Sequence, residues 1–259
     1  MPALLDWHPH FGRIGGRDLR TWLAAYPVAE PPKMSIMLAS QERTGSEFLC
    51  QLMGATSRLG RPSEYLNTYW MRRFIPDFPD NVDDQMAIAH RVGTTVNRCF
   101  SMKTHPVHLD RLLGSSSVAA AFPNPVFVRL HRRDLVAQAV SLYRARYSGQ
   151  YHAYAPADRE IGFDGEAIRQ ILIELARGKA RWDVYFARNG IDPLMIAYED
   201  LAANPYPIIH AIASRVGEAV DNRQLDLVSP LQVQQDVQSA SWKQRFLDEY
   251  HNLDDLEAI

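Results

Sequence analysis

The sequence predicts an α/β fold with a mainly parallel central sheet flanked by helices. Three observations predict it. The runs Met34 to Ala39 and Pro125 to Leu130 are apolar at nearly every position rather than at alternate ones, as strands covered on both faces are. Each passes through a short polar turn into a stretch whose apolar residues recur at helical spacing, and alternation of that kind builds parallel sheets. Finally, 46% of the 259 residues are apolar and 22% are charged, a balance that supports a sizeable core.

Residues 1–33 read as an irregular peripheral segment, punctuated by Gly15-Gly16 and Pro31-Pro32. The first strand follows, and Phe48, Leu49, Leu52, Met53 and Thr56 mark the helix after it, which Gly60-Arg61-Pro62 stops. Residues 61–97 mix Tyr65, Tyr69, Trp70, Phe74 and Phe78 with charges and carry a helix from about Asp83 to Val96. Phe100 to Thr104 is the second strand and Pro125 to Leu130 the third. Leu135, Val136, Ala139, Val140, Leu142 and Tyr143 trace the buried stripe of the next helix.

Residues 146–164 read as a loop. Ile168, Ile171, Leu172, Leu175, Trp182 and Phe186 define a long helix that Asn189-Gly190 closes. Pro193 to Tyr198 is a strand, and Ile208, Ile209, Ile212, Ala213 and Val216 form a helix. Residues 225–259 read as a Gln-rich closing loop and a helix from near Ser241. With no internal repeat, the whole chain, 1–259, is expected to be one domain.

Composition narrows the function. The 28 Lys and Arg nearly balance 30 Asp and Glu, a formal charge of −2. That excludes a general basic platform for nucleic acid but not a local cationic pocket. Two cysteines, Cys50 and Cys99, exclude a disulfide scaffold and supply no zinc pattern. No apolar run approaches the roughly 18 residues of a membrane helix. The start, with Asp6, Trp7, His8, Pro9 and His10, lacks the basic-then-apolar order of a secretory signal. The expectation is a cytoplasmic protein with no nucleic-acid partner and no transmembrane segment.

Ligands of such sheets bind beyond the carboxyl ends of the strands, which directs attention to the turns after Ala39 and Leu130. The first turn reads Ser40-Gln41-Glu42-Arg43-Thr44-Gly45-Ser46-Glu47. A helix N-terminus behind a small-residue turn offers free N–H groups and the positive end of the helix dipole to an anion. Gly45 permits an unusual backbone angle, Arg43 adds a fixed fork for phosphate oxygens, and Thr44 and Ser46 add hydroxyls. Against the nucleoside-triphosphate pattern G-x-x-x-x-G-K-[ST], Ser40 replaces the first Gly, Ser46 the Lys and Glu47 the magnesium-binding hydroxyl. The missing Lys speaks against an ATPase or kinase. In the second turn, Arg132 precedes a helix on which Asp134, Gln138, Ser141 and Ala145 share one face. An Arg at the helix start with a downstream hydroxyl can clamp a second anion. Two such sites on adjacent strands suit a nucleotide phosphorylated at both ends of its ribose.

These motifs, in this order, resemble those of sulfotransferases that use 3′-phosphoadenosine-5′-phosphosulfate (PAPS), and most closely the bacterial trehalose-sulfotransferase-like family. Leu38 to Gln41 with Arg43 to Ser46 resembles the family's 5′-phosphosulfate loop, and Arg61-Pro62-Ser63-Glu64-Tyr65 its G-x-P-x-E-[FY] segment. Met102-Lys103-Thr104-His105-Pro106 is similar to the K-T-H-x-P stretch of the cytosolic enzymes. His131 to Ser141 resembles the 3′-phosphate motif, Tyr198-Glu199-Asp200-Leu201 a frequent family tetrapeptide, and Ser241-Trp242-Lys243 to Phe246 the closing D-W-K-x-x-F element. The likeness runs from Pro32 to Phe246.

The resemblance implies a P-loop-like three-layer fold and transfer of a sulfuryl group from PAPS to a hydroxyl of a carbohydrate or glycolipid, with no metal required. It implies that Arg43, Thr44, Gly45 and Ser46 bind the 5′-phosphosulfate and that Arg132 and Ser141 bind the 3′-phosphate. The tail around Gln234 to Gln238 would close over that phosphate. Glu64 matches the carboxylate base of the trehalose-type enzymes, and Lys103 with His105 matches the catalytic pair of the cytosolic ones. A homodimer is implied by the same analogy.

Two residues depart from the family pattern. Glu47 stands where Thr is preferred and would repel the phosphosulfate unless it turned away; Gln238 stands where a basic residue is common. The competing functions are a P-loop-like small-molecule kinase and a catalytically degenerate nucleotide-binding protein. For single residues the plainer roles are helix capping for Glu199-Asp200 and packing for Trp242. The aromatics at 65–78 divide between packing and a sugar platform.

Overall fold

The computed structural model describes residues 7–8, 12–13, 17–26, 30–113, 122–151, 158–226, 228 and 237–250. Its centre is a parallel sheet of β1 (Met34–Ala39), β2 (Cys99–Thr104), β3 (Pro125–His131) and β4 (Leu194–Ala197), in the spatial order β2-β1-β3-β4. The helices of the described residues are, in chain order, α1 (Leu19–Ala24), α2 (Ser46–Ala55), α3 (Thr68–Arg72), α4 (Val82–Gly93), α5 (Pro106–Leu113) and α6 (Leu135–Ser148). There follow α7 (Gly165–Asn189), α8 (Tyr198–Ala203), α9 (Pro205–Arg215), α10 (Asn222–Leu225) and α11 (Val237–Glu249). No described helix is long and apolar enough to cross a membrane.

The near-continuous apolar character of β1 has the expected cause: both of its faces are covered. Ile36 and Leu38 join Val128, Leu130 and Ile196 under α2 and α9, where Leu49, Met53, Ile209 and Ile212 pack. Met37 and Ala39 face the other way, with Met102, and pack with Trp182 and Phe186 of α7 and Val92 of α4. A third cluster joins α6, α7 and α11 through Leu142, Leu172, Trp242 and Phe246. Helices therefore lie on both sides of the sheet, and register places Ala39 beside Thr104 on one neighbour and Arg129 on the other. The carboxyl ends of the three site-bearing strands thus converge at one edge of the layer.

Every expected strand is present, and the differences lie mostly in short helices and helix ends. The segment read as irregular and peripheral contains α1, capped by Asp18, whose carboxylate accepts from Thr21 N at 2.8 Å; this helix buries Trp22 in the main core. Tyr198 begins α8 instead of ending a strand. The helix expected to reach Val96 stops at Gly93, because Thr94 is extended and bridges to Phe100. Helix α6 runs on through residues 146–148, the start of the expected loop, and ends at Gly149 with its left-handed backbone. The closing helix begins at Val237 rather than near Ser241, so Gln238 is an exposed helical residue and not part of a loop. Gln234 lies outside the described residues.

Candidate active site

The loop from Ser40 to Gly45 leaves β1 and is held from three directions. Thr44 Oγ1 donates to Gln41 O at 2.8 Å, the buried Trp182 indole donates to Ser40 O at 3.1 Å, and Gln138 Nε2 of α6 donates to Glu42 O at 2.7 Å. The Gln41 side chain donates to Leu175 O of α7 at 2.9 Å. Arg43 and Gly45 both have left-handed backbone, at φ 61° and 75°. Non-glycine residues adopt that region at a cost that recurs at ligand sites. Gly45 is the N-cap of α2 and offers no side chain to its first turn, so the N–H groups there remain for an anion.

A Cβ on Gly45 would lie 2.8 Å from the Tyr198 ring, which closes the loop from the α8 side. Gly45→Ala is therefore expected to cost about 1–3 kcal/mol of stability, measured by urea unfolding, and to weaken anion binding.

Two arginines face this loop. Arg43 Nε donates to Ser141 Oγ at 2.9 Å and its Nη1 to Tyr151 O at 2.6 Å. Arg132 reaches Arg43 O at 3.4 Å, and its guanidinium lies 4.6 Å from the centre of the Tyr198 ring. Burial, and then the Arg132 charge, push the Arg43 pKa down to about 10. Arg132 makes no salt bridge among the described residues, and its Nε is buried without a partner. Two partly buried cations thus face one another across the loop, and one keeps a donor that no described group accepts from. The pockets expected for two phosphates are contiguous here, since Ser141 and Arg43 touch directly.

The three expected catalytic side chains also meet. Backbone pairing of Lys103 N with Ser63 O, at 3.1 Å, brings the segment containing Glu64 onto the end of β2. Lys103 Nζ lies 2.8 Å from Glu64 Oε1, and His105 Nε2 lies 3.1 Å from the same oxygen; Asn67 Nδ2 donates to Oε2 at 2.7 Å. Burial alone would raise the Glu64 pKa, but Lys103 and His105 outweigh it and hold the carboxyl well below the usual range. Burial would lower Lys103, but Glu64 and Glu47 outweigh it and raise the ammonium. With Glu64 ionised, His105 Nε2 carries the hydrogen-bonding proton. Glu47, the expected source of repulsion, is engaged by Lys103 at 3.5 Å. The Glu64 side chain is 17% exposed, against 6% for Lys103 and 7% for His105, so Glu64 is the most open of the three.

His108, one helical turn beyond His105, packs edge-on against it at 5.5 Å. Burial, and then the His105 charge, push its pKa down to about 4. Between about pH 6.5 and that value the unfolded chain binds a proton that the folded chain refuses, so stability falls as pH drops through the window. His108→Gln removes this coupling. Between about pH 7 and about pH 4.5 the wild type should lose on the order of 2 kcal/mol more stability than the variant, read from urea midpoints.

Other expected roles sort as follows. Glu199 does not cap its own helix but ties down the turn before α6, its carboxylate accepting from Arg133 N at 3.1 Å and Asp134 N at 3.3 Å, while Asp200 pairs with Arg133. Lys243 of the closing element binds Asp134, the α6 N-cap, at 2.6 Å, and Trp242 packs in the third cluster. Tyr65, Phe74 and Phe78 are core residues, whereas Tyr69 is 82% exposed and Trp70 carries the Arg73 guanidinium at 5.5 Å from its ring. Sequence reading missed Gln41 and Tyr198 as parts of the site. Gln138 carried a signal, since it shares the Asp134–Ser141 face.

A parallel sheet whose first strand runs through a glycine-bearing turn into a helix defines a P-loop-like α/β fold. The chain belongs to the Stf0 sulphotransferase family, whose pattern it matches over residues 35–249; it is a sulfotransferase. It is 32% identical over 124 residues to a trehalose 2-sulfotransferase of Mycobacterium tuberculosis, covering 47% of this chain and 45% of that protein. Against a trehalose 2-sulfotransferase of Mycolicibacterium smegmatis it is 23% identical over 260 residues, 85% of this chain and 96% of that one. Among solved structures it resembles sulfotransferase STF9 from Mycobacterium avium, with a TM-score of 0.50 and 13% identity over 88% of this chain and 77% of that one.

Proposed function

We propose that this sulfotransferase takes its sulfuryl group from PAPS and delivers it to a carbohydrate hydroxyl, with a sugar such as trehalose as the acceptor class. The observation that carries the donor is the Arg43–Ser141–Arg132 cluster beside the uncapped start of α2. Its orphaned Arg132 Nε and two facing cations fit a doubly phosphorylated nucleotide. The acceptor class rests on the two trehalose 2-sulfotransferases that the chain is similar to.

In this reading, Arg43 and the Gly45–Ser46 amides hold the 5′ end, Thr44 shapes the loop by donating its hydroxyl proton to Gln41 O, and Arg132 with Ser141 holds the 3′-phosphate. Helix α11, tied to α6 by Lys243 and Asp134, closes the same side and carries Gln238. Bound PAPS supplies the sulfuryl group and the phosphate leaving group. Glu64 takes the proton of the acceptor hydroxyl, because it is the most open of the three clustered groups. His105 holds Glu64 from behind. Lys103 keeps Glu64 ionised and supplies positive charge where negative charge grows on the leaving side. Positioning and charge thus carry most of the rate.

The test is transfer of radiolabelled sulfuryl from PAPS to trehalose, alongside calorimetry with 3′-phosphoadenosine-5′-phosphate (PAP). PAP is expected to bind one to one and label to appear in the sugar. Absence of PAP binding overturns the donor, and PAP binding without sugar labelling overturns the acceptor.

A further inference from the structure

A buried cation that neither expected pocket uses lies under the anion loop. Arg129 of β3 is 1% exposed. It sits in register with Ala39, the last residue of β1 before the loop. Its Nη1 donates to Leu130 O at 2.9 Å and reaches Ala39 O at 3.4 Å, and its Nη2 reaches Gln41 Oε1 at 3.4 Å. Its guanidinium stands 6.0 Å from the centre of the Trp182 ring.

Among the described residues, every hydrogen-bond partner of this guanidinium is thus a neutral oxygen, and none forms a salt bridge with it. Asp183 of α7 acts on it at longer range, and His131 is the other titratable group beside it on β3. A buried charge without a counter-ion is costly, and a core of the same volume would be more stable with an apolar residue in its place.

The contacts that Arg129 makes lead to the loop. Gln41 receives Arg129 through its side chain and holds Thr44 through its carbonyl. Gln41 packs closely on α7, where a Cβ on Gly178 would lie 2.4 Å from its Nε2. Trp182, which faces the Arg129 guanidinium, donates to Ser40 O.

Resting on the reading that the loop binds the 5′ end of PAPS and PAP, we propose that Arg129 is a further electrostatic and positioning residue of the donor site. It is a cation held under the loop whose missing counter-charge is the bound nucleotide's phosphate. Its field is little screened, because low-polarity core surrounds it. The nucleotide need not touch it.

The test compares wild type with Arg129→Met and Arg129→Lys, using PAP calorimetry and thermal melts with and without PAP. In Arg129→Met the ligand-free melting temperature is expected to hold or rise. Its PAP dissociation constant should rise by about tenfold, and the melting shift produced by PAP should shrink. A purely structural role gives the opposite result, a lower ligand-free melting temperature with unchanged PAP affinity, and overturns the proposal.

Arg129→Lys keeps the charge and gives an answer even if the Met variant does not fold. A buried ammonium loses its proton far more readily than a guanidinium. Its PAP affinity relative to wild type should therefore fall between about pH 6 and about pH 9. A ratio constant across that range also overturns the proposal. If the wild type itself binds no PAP, the donor reading fails instead, and the two failures are distinguishable.

Discussion

Glu64→Gln is expected to lower kcat by about a hundredfold to ten-thousandfold, the usual contribution of a positioned base, while PAP affinity stays within about threefold. The carboxylate is the most open of the Glu64–Lys103–His105 cluster, and both of its oxygens are held, one by Lys103 and His105 and the other by Asn67. Glutamine keeps the shape and an acceptor oxygen but cannot take the acceptor's proton. Glu47 remains beside Lys103 at 3.5 Å, so the buried ammonium is not left without a carboxylate and the variant should fold. His105→Ala should lose less, about tenfold, because the imidazole orients the base without replacing it. Single-turnover kinetics on both variants checks the order. A larger loss in His105→Ala than in Glu64→Gln reverses the assignment, and near-normal rates in both reject it.

Arg43→Ala and Arg132→Ala are each expected to weaken PAP binding by about tenfold to a hundredfold, as loss of a charge-assisted hydrogen bond does. The pair should not be additive, since Arg132 reaches the Arg43 carbonyl and both act on one anion cluster. The effect on ligand-free stability is the discriminating part. Arg43 and Arg132 repel one another across a partly buried space. Removing Arg132 relieves that repulsion and forfeits its contact with the Tyr198 ring, worth about 0.5–1 kcal/mol. Ligand-free stability of Arg132→Ala should therefore stay within about 1 kcal/mol of wild type, while the stabilisation conferred by PAP falls. A variant that unfolds easily yet binds PAP normally contradicts this role.

Much of the fold was legible because the central strand β1 is covered on both faces and so reads as an apolar run, and because turn residues separate the strands from helices of clear periodicity. Helices α1, α3 and α8 were not legible. At five or six residues they are too short to show periodicity, and what places them is tertiary packing of single residues such as Trp22, Met71 and Leu201.

In the site, the order of motifs pointed to Arg43, Arg132, Ser141, Glu64, Lys103 and His105. The meeting of Glu64 with Lys103 and His105 could not be read, because a long-range backbone bond from Lys103 to Ser63 accompanies it. Glu47 shows the same limit. Spacing alone set its carboxylate against the donor, and only the position of Lys103 in three dimensions gives it a partner. Arg129 reads in sequence as one charge in an apolar strand, with nothing to show that its head group lies against Gln41.

The cationic cluster between the carboxyl ends of β1 and β3 is what the donor assignment rests on. A crystal structure of the protein with PAP measures it most directly. The expected result is a nucleotide with its 5′-phosphate against the Gly45–Ser46 amides and Arg43, and its 3′-phosphate on Arg132 and Ser141. PAP bound elsewhere, or a saturated crystal in which Arg43 still holds Ser141 and no nucleotide occupies the loop, would contradict it.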